Sequence, residues 1–441
     1  MLPARLAIAL ALVSFVAAPV LGSTDEGKDA DAALSQRIAR ILEATPLIDG
    51  HNDLPWEIRD YWGNVDDFDM AASTLDLHLP SAGGERTISL MTDLPRLRAG
   101  RVGGVFWSTW IPPELSGPEA VATTLEQIDI VRSLVEKYPR DLELALRAED
   151  IERIHREGRI ASLIGIEGGA QIGNSMAVLR QVHALGVRYV TLTHSRNTDW
   201  ADAATDNPLH GGLTPFGREM VREMNRLGML VDLAHVAAST MRDAIRSSRA
   251  PVMFSHSGAQ ALVDHPRNVP DDVLRMVADN RGIVMVNFYP DYISTANLRW
   301  AADRAAEAAR FNSPPFDGLY IGQPERAAAA MAQWERANPR PEASIGMVAD
   351  HIEHIRAIAG IGSVGLGSDF DGIGFTPVGL EGVDRFPALF EELARRGWSD
   401  DELADLAGRN LLRVMREAEA VAARLQRTQT PSHATLAMDR E

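Results

Sequence analysis

The sequence predicts a closed (β/α)8 barrel, and three observations lead to this fold. Eight short apolar runs recur along the chain, and segments with the apolar spacing of amphipathic helices separate them. Strands that alternate with helices favour a parallel sheet, and eight such units favour closure into a barrel. No glycine-rich phosphate loop of the usual spacing follows any run, which disfavours an open doubly wound sheet, the alternative that the alternation leaves. The predicted strands are Leu47–Ile48 running into Asp49–Asp53, Gly104–Ile111, Ala161–Gly168, Arg188–His194, Leu230–His235, Val252–His256, Ile283–Tyr289 and Ser363–Asp369.

The segments between these runs carry helix signals of their own. Pro270-Asp271-Asp272 and Thr214-Pro215 have the composition of helix N-termini, and a helical lead-in is expected around Ala32–Ala44. Between the last two strands, the alanine-rich segment 300–344 is expected to form an inserted helical hairpin over one loop face. We therefore expect residues 32–425 to form a single barrel domain. The predicted helices are Ser175–Leu185, Pro215–Leu227, Ala237–Arg246, Asp271–Asn280 and Met347–Ile358.

Composition limits the functions that are open to this chain. Its 441 residues are 45% hydrophobic and 24% charged, which is typical of a globular protein. The formal net charge of −17 argues against nucleic acid or an anionic membrane as the main partner. The chain has no cysteine, which excludes disulfides, thiolate metal sites and a cysteine nucleophile. Any metal must therefore be bound by histidine, aspartate or glutamate.

The two ends of the chain are expected to lie outside the barrel. Residues 1–22 contain an early arginine, the apolar run Leu6–Ala18 and then small residues, a pattern typical of a secretory signal peptide. An uncleaved membrane anchor is the alternative, but the run is shorter than the ~20 residues of a comfortable span. We therefore expect an exported protein, periplasmic or secreted, with no transmembrane span in the mature chain. The polar segment 428–441 is expected to be a flexible tail.

Metal-capable side chains stand at the ends of six of the eight predicted strands. In a barrel, the carboxyl ends of the strands meet at one rim, where barrel active sites are built. These side chains should therefore converge on one point, although each of them alone would be an ordinary buried or surface residue. They are His51 and Asp53 on the first strand, Glu167 on the third, His194 on the fourth, His235 on the fifth, His256 on the sixth and Asp369 on the eighth.

The residue types and their number suggest two metal ions. His51 and Asp53 are two residues apart and so project to the same side of a strand. Glu167 ends an apolar run, where a charged carboxylate is costly unless it is paired or bound to a metal. If Glu167 bridges one ion held by His51 and Asp53 and a second held by His235 and His256, each ion has three protein ligands. Imidazole and carboxylate ligands fit zinc best, with manganese or cobalt as alternatives, and two such cations could bind a hydroxide between them.

Four other histidines are interpreted as structural. His351 and His354 lie at i and i+3 of a predicted helix, a spacing that could chelate an ion. Their segment lies well before the rim end of the eighth strand, however, so a packed or solvated helix face is the favoured interpretation. His155 and His183 lie on predicted helices and are interpreted in the same way.

Eight motifs in order along residues 40 to 425 resemble those of the membrane (renal) dipeptidases, the zinc peptidase family M19. The resemblance implies a (β/α)8 barrel, a binuclear zinc site with Glu167 bridging, and hydrolysis of dipeptides. It places in the ligand positions the same five residues that the number and spacing of side chains suggest: His51, Asp53, Glu167, His235 and His256. The motifs are Leu47-Ile48-Asp49-Gly50-His51-Asn52-Asp53-Leu54-Pro55-Trp56, Ile166-Glu167-Gly168-Gly169, Leu192-Thr193-His194-Ser195-Arg196-Asn197, Val231-Asp232-Leu233-Ala234-His235-Val236, Phe254-Ser255-His256-Ser257, Arg267-Asn268-Val269-Pro270-Asp271-Asp272, Val284-Met285-Val286-Asn287-Phe288-Tyr289 and Gly367-Ser368-Asp369-Phe370-Asp371-Gly372.

The resemblance also implies catalytic and substrate-binding roles. His194 is similar to the family histidine that contacts the scissile carbonyl oxygen and stabilises the oxyanion, and Asp369 to the acid that handles the proton. Arg267 is similar to the cation that binds the substrate's C-terminal carboxylate, a group that a guanidinium suits geometrically. Tyr289 is expected to contact the substrate. The chain departs from the mammalian enzymes in having no cysteine, no C-terminal anchor signal and a longer 300–344 segment.

Three points stay open at the level of sequence. The same binuclear site could act on another small amide that carries a carboxylate, such as a lactam or an N-acyl amino acid, or the barrel could bind metal without catalysis. Arg267 could instead tie its loop to Asp271 or Asp272. The partners are expected to be small dipeptides, and a homodimer is left open.

Overall fold

Eight parallel strands pair in sequence order, and the last pairs with the first through Asp49 and Leu366. The computed structural model describes residues 25–81, 84–312 and 318–440. The (β/α)8 barrel that the sequence predicts is therefore confirmed. The barrel strands are β1 (Leu47–Asn52), β2 (Val102–Trp110), β3 (Ile160–Glu167), β4 (Val187–Thr191), β5 (Leu230–Asp232), β6 (Met253–Phe254), β7 (Ile283–Val286) and β8 (Val364–Leu366).

Helices follow the strands and cover the outside of the barrel. Six of the strands are buried at every position, because side chains fill the barrel interior while helices cover the other face. The α-helices are Asp25–Ala44, Leu54–Trp62, Leu94–Ala99, Gly117–Lys137, Ala148–Arg156, Met176–Ala184, Pro215–Leu227, Ala238–Ser247, Asp271–Asn280, Pro290–Ile293, Thr295–Asn312, Pro324–Ala337, Ile345–Ala359, Phe386–Arg395, Asp400–Ala404 and Asn410–Leu425, the last two joined by a π-helical turn, Asp405–Arg409.

Three further strands lie outside the barrel. Leu142–Leu144 pairs with the beginning of β3, and Leu77–Ser81 pairs with Gly84–Ile88 in an antiparallel hairpin between β1 and β2. Four short 3-10 segments complete the described secondary structure: Gly169–Ile172, Ile361–Ser363, Val383–Arg385 and Leu436–Arg440.

The strands end earlier than the apolar runs predict. His194, His235, His256 and Asp369 lie just beyond their strands, in the loops of the rim. The φ angles of His235 and Asp369 are 68° and 67°, in the left-handed region that a regular strand excludes. The chain must therefore leave the strand before these side chains can turn toward the barrel axis.

The segment between β7 and β8 contains two helices, Thr295–Asn312 and Pro324–Ala337, that lie against each other. Arg304 Nε donates to Glu335 Oε1 at 2.7 Å, and the rings of Trp300 and Trp334 lie 6.0 Å apart. In the described part of the chain, no helix combines the length and the apolar character that crossing a bilayer requires. The proposed signal peptide lies outside the described residues.

The C-terminal segment, which the sequence predicts to be a flexible tail, contacts helix Pro215–Leu227 through its side chains and backbone. Glu223 accepts a hydrogen bond from the backbone of Ser432 at 3.2 Å, and Asp439 Oδ1 accepts one from Phe216 N at 2.7 Å. Leu436 and Met438 pack against the core. The Asp439 carboxylate thereby satisfies an N–H of the first helical turn that has no partner within the helix.

Candidate active site

The five predicted metal ligands converge around the carboxylate of Glu167, the last residue of β3. Its Oε1 lies 2.8 Å from His235 Nε2 and 3.5 Å from His256 Nε2. Its Oε2 lies 3.5 Å from His51 Nε2, which is itself 3.2 Å from Asp53 Oδ2. The two oxygens of one carboxylate thus face two different sets of ligands.

Three overlapping groups of ligand atoms could each hold a cation, with all atoms of a group within 4.8 Å of one another. Glu167 belongs to two of the groups. His256 groups with His51, and it also lies 3.0 Å from His235 through their Nε2 atoms, so it stands between the two predicted sites. The groups are His51, Glu167 and His256; Glu167, His194 and His235; and His51, Asp53 and Asp369.

Two buried atoms at this point have no hydrogen-bond partner among the described residues, His51 Nε2 and Asp53 Oδ1. Both side chains are almost completely buried. Leaving such atoms without a partner is costly, and a bound cation satisfies both of them. Imidazole nitrogens and carboxylate oxygens are ligands that zinc accepts. The residues present therefore fit a metal centre.

Buried hydrogen bonds to the Nδ1 atoms orient two of the histidines, on the side of the ring away from Glu167. His51 Nδ1 lies 2.9 Å from the Tyr189 hydroxyl, and His256 Nδ1 lies 2.9 Å from Ser255 Oγ. Ser255 Oγ in turn donates to the buried carboxylate of Asp232 at 2.7 Å. Such partners set the ring orientation of a metal-binding histidine. Sequence reasoning assigned no role to Tyr189 or Asp232, although a tyrosine and an acid inside apolar strands were a visible signal.

Asp369 lies beside these groups, and backbone and side-chain hydrogen bonds of adjacent residues fix its conformation. Asp49 accepts hydrogen bonds from both the backbone N–H and the hydroxyl of Ser368, at 2.8 and 2.6 Å, and Asp369 N donates to His51 O at 3.1 Å. Burial raises the pKa of Asp369 well above its usual range. General acid–base catalysis favours a carboxyl whose pKa is raised in this direction.

Asp371, two residues further on, is bound differently. Its Oδ1 accepts a hydrogen bond from Met91 N at 2.5 Å, which connects the rim to the segment before β2. Burial raises the pKa of Asp371 to about 6. Asp371 also faces the cavity described below, but it belongs to none of the three ligand groups.

His194 lies at the edge of the centre and is more accessible than the other histidines. Its Nε2 is 3.8 Å from Glu167 Oε1, and Trp110 Nε1 donates to it at 3.2 Å. Its side chain is 24% exposed, whereas that of His256 is 1% exposed. His194 is therefore placed to meet a molecule in the cavity.

Arg267 is buried without an ion-pair partner among the described residues. It is 1% exposed, and its Nε and Nη1 atoms have no hydrogen-bond partner there. Its Nη2 lies 3.4 Å from His256 O, and its guanidinium lies over the ring of Tyr292, 5.3 Å from the centroid. Arg267 does not tie its loop to Asp271 or Asp272 in the structure. Asp271 pairs with His354, and Asp272 pairs with Arg242.

A cavity of about 410 Å³ opens onto the centre. Of the predicted site residues, His51 and His256 do not line it, because they lie deeper in the barrel. Tyr292, which sequence reasoning missed, lines it beside the predicted Tyr289. The other predicted site residues in its wall are Asp53, Glu167, His194, His235, Arg267 and Asp369.

The histidines interpreted as structural lie outside this centre. His351 is buried, and its Nδ1 accepts a hydrogen bond from Ala259 N at 2.9 Å. His354 Nε2 lies 2.8 Å from Asp271 Oδ1, and His155 Nε2 lies 3.0 Å from Glu43 O. None of them belongs to a group that could hold a cation among the residues that the structure describes.

Solved structures of other proteins resemble this chain. Among solved structures, the probable dipeptidase PvdM from Pseudomonas aeruginosa is 26% identical, with 89% of this chain and 100% of that chain covered and a TM-score of 0.73. A metallopeptidase from Rhodobacter sphaeroides, liganded with a phosphinate mimic of the dipeptide L-Ala-D-Ala, is 22% identical over 85% of this chain and 99% of that chain, with a TM-score of 0.66. The dipeptidase AC, a metallopeptidase of family M19, is 23% identical over the same shares, with a TM-score of 0.66. The last two likenesses show the fold alone.

The family model described as membrane dipeptidase, peptidase family M19, matches residues 35–429. This range includes every described barrel strand and every residue of the candidate metal-binding groups. The chain is therefore a hydrolase that belongs to the membrane dipeptidase family, peptidase family M19.

Proposed function

We propose that this protein hydrolyses dipeptides at a centre of two zinc ions that share Glu167. The observation that carries the proposal is the orientation of that carboxylate, with Oε1 toward His235 and His256 and Oε2 toward His51. Asp53 completes the ligand set on the His51 side. When bound, two zinc ions would supply Lewis acidity and a hydroxide nucleophile at neutral pH.

Asp369 is the proposed proton carrier. Its carboxylate accepts a proton from the attacking water and delivers it to the nitrogen of the leaving amine, as the C–N bond breaks and the new C–O bond forms. The hydrogen bonds through Ser368 and Asp49 support this role, because they hold Asp369 in its unusual backbone conformation beside His51. Asp369 also lines the cavity, where substrate has access.

His194 is the proposed oxyanion-binding residue. Because Nε2 accepts from Trp110 Nε1, the N–H of the neutral ring is on Nδ1, and this N–H can donate a hydrogen bond to the scissile carbonyl oxygen as negative charge develops there. Burial lowers the pKa of His194, so the ring is neutral at pH 7 and still carries one N–H. The contact with Trp110 restrains the ring.

Arg267 is the proposed binding site for the C-terminal carboxylate, and Tyr289 lines the same cavity as a further substrate contact. A buried guanidinium with two unpartnered nitrogen atoms has the fork geometry that a carboxylate fits. A fixed cation one residue beyond the scissile bond favours dipeptides over longer peptides, which would present a neutral amide there. A cavity of about 410 Å³ agrees with a substrate of this size.

Residues 1–22 are proposed to be a signal peptide and residues 32–425 the barrel domain, so that the enzyme acts in the periplasm or outside the cell. The support is the N-terminal sequence pattern. N-terminal sequencing of the exported protein tests it, because a mature chain that begins before residue 18 would contradict the assignment.

The function is tested by measuring zinc content and hydrolysis together on the purified protein. We expect about two zinc ions per chain, and a chelator that abolishes hydrolysis reversibly. The substrate panel should contain alanyl-alanine with either stereochemistry at its C-terminal residue, an N-acyl amino acid and a lactam. A protein that binds two zinc ions but hydrolyses none of these compounds would be a non-catalytic barrel.

A further inference from the structure

Glu57 is an acidic residue of the cavity wall that the proposed mechanism leaves without a role. It lies in the first turn of helix Leu54–Trp62, four residues after the proposed ligand Asp53, and it is half-buried. Its backbone N–H donates to Asp53 O at 3.4 Å, which ties the helix start to the rim. Its side chain lines the same cavity as Arg267 and Asp369.

No cation pairs with Glu57 within the described ranges 25–81, 84–312 and 318–440. Arg86 is the cation whose charge acts on Glu57 most strongly. Its guanidinium, however, donates to the Tyr61 hydroxyl at 2.9 Å and lies over the Tyr61 ring. Burial and the charges of Asp371, Asp53 and Asp60 raise the pKa of Glu57 to about 8, and a cation bound beside Glu57 would favour its ionised form. A half-buried acid beside other acids is an unfavourable arrangement unless a cation from outside completes it.

Glu57 and Arg267 lie on different sides of the cavity. Glu57 follows β1 and Arg267 follows β6, which is three strands away around the closed sheet of eight. Glu57 lies on the side of Asp53 and Asp371, and one buried oxygen of Asp371 has no hydrogen-bond partner among the described residues. The buried, unpartnered Arg267 independently indicates that an ionic ligand enters this cavity.

A free dipeptide has the matching distribution of charge. Its carboxylate and its ammonium group lie on opposite sides of the scissile amide, so a molecule held by Arg267 at one end extends its ammonium group to the other side of the metal centre. The rings of Trp56 and Trp110, edge to face at 4.6 Å, form an apolar part of the same wall and reduce the access of water to an ion pair there.

We infer that Glu57 binds the ammonium group of the substrate's N-terminal residue and that the enzyme selects amides with a free amine as well as a free carboxylate. The inference rests on the proposed dipeptidase function and narrows its substrate class. It excludes N-acyl amino acids as good substrates, although they satisfy Arg267 equally well.

Two substrates that differ only in the amine provide the test. Propionyl-alanine is alanyl-alanine with hydrogen in place of the amino group, so it keeps the carboxylate, the scissile amide and nearly the same size. The wild-type enzyme should prefer alanyl-alanine in kcat/KM. Glu57→Gln should reduce that preference by roughly 10-fold or more, the low end of what a charge-assisted hydrogen bond contributes. The reduction should come from slower hydrolysis of alanyl-alanine alone.

Glu119→Gln is the matched control, because Glu119 also lies in the first turn of a helix, is exposed and does not line the cavity. It removes the same charge and should leave the preference unchanged. Glu57→Asp, which keeps the charge on a shorter side chain, should lose less of the preference than Glu57→Gln. Zinc content and circular dichroism of each variant report whether the metal centre and the fold are intact.

The outcomes separate this inference from the proposed function. A folded Glu57→Gln enzyme that hydrolyses both compounds with the wild-type preference, or loses activity equally on both, overturns the role of Glu57 and leaves the dipeptidase proposal in place. An equal loss of preference in Glu119→Gln also overturns it, because a long-range charge effect would then be responsible. A wild-type enzyme that hydrolyses neither compound overturns the proposed function and this inference with it.

Discussion

The hydroxyl oxygen of Tyr189 lies 2.9 Å from Nδ1 of His51, beneath the proposed metal centre. Both side chains are fully buried. Gly165 on the neighbouring strand makes room for the phenol ring, since a Cβ added there would lie 2.0 Å from it. For His51 Nε2 to bind a cation, Nδ1 must carry the proton and donate it to the Tyr189 oxygen. The phenol therefore selects the tautomer of His51 that can act as a ligand.

Tyr189→Phe should weaken zinc binding by about 10- to 100-fold, the usual effect of removing the outer hydrogen bond of a ligand histidine. Competition with a chelator of known affinity measures it. Tyr320→Phe, in the segment between β7 and β8, is the control and should bind zinc as the wild type does. Unchanged zinc affinity in folded Tyr189→Phe would show that packing alone orients His51.

Glu167→Gln should weaken both zinc sites together, because one carboxylate is proposed to serve two ions. Isothermal titration calorimetry with zinc should show that both binding steps have weaker affinity than in the wild type. Glu353→Gln, on a peripheral helix, tests whether loss of any glutamate charge matters. The bridging assignment is wrong if Glu167→Gln binds two zinc ions with native affinity.

Asp369→Asn should retain both metals and lose ~10²–10⁴-fold in kcat, the usual contribution of general acid–base catalysis. Asp371→Asn is the comparison, because Asp371 lies two residues away and its oxygen accepts from Met91 N. An amide oxygen can still accept that bond, so this variant should keep most activity. If instead Asp371→Asn is the inactive, metal-replete variant, the proton carrier has been misassigned.

Arg267→Ala should raise KM for a dipeptide far more than for the corresponding dipeptide amide. A charge-assisted hydrogen bond contributes ~1.5–3 kcal/mol, so the preference for the acid should fall roughly 10- to 100-fold. Kinetics on the matched acid and amide measure it. An unchanged preference in the variant contradicts the carboxylate role, and equal losses on both substrates would indicate a structural one.

Asp439→Ala should lower the free energy of unfolding by about 0.5–2 kcal/mol, the usual cost of losing a hydrogen bond to a helix N-terminus. Its carboxylate accepts from Phe216 N at the start of helix Pro215–Leu227. Urea unfolding measures the change, with Gln429→Ala, an exposed position in the same segment, as the control. Equal stability of the two variants would mean that the C-terminal contacts form only weakly in solution.

Barrel topology explains why the predicted ligands could be found from the sequence. Residues 51, 53, 167, 235 and 256 all follow apolar runs, and parallel strands in a closed barrel bring their carboxyl ends to one rim whatever the loop lengths. The ends of the strands were less predictable, because the left-handed conformations of His235 and Asp369 stop the strands before the apolar runs end.

The barrel and the set of side chains at its rim could therefore be predicted, because both follow from local periodicity and strand polarity. How those side chains pair depends on contacts that form only in the folded chain. Ser368 contacts Asp49 from 319 residues away, Asp371 contacts Met91 from 280, and Tyr189 contacts His51 from 138. Contacts of this kind depend on rotamers and on the packing of distant strands, and no local pattern encodes them. For the same reason, only the folded chain reveals that Arg267 is buried without a partner while Asp271 and Asp272 pair elsewhere.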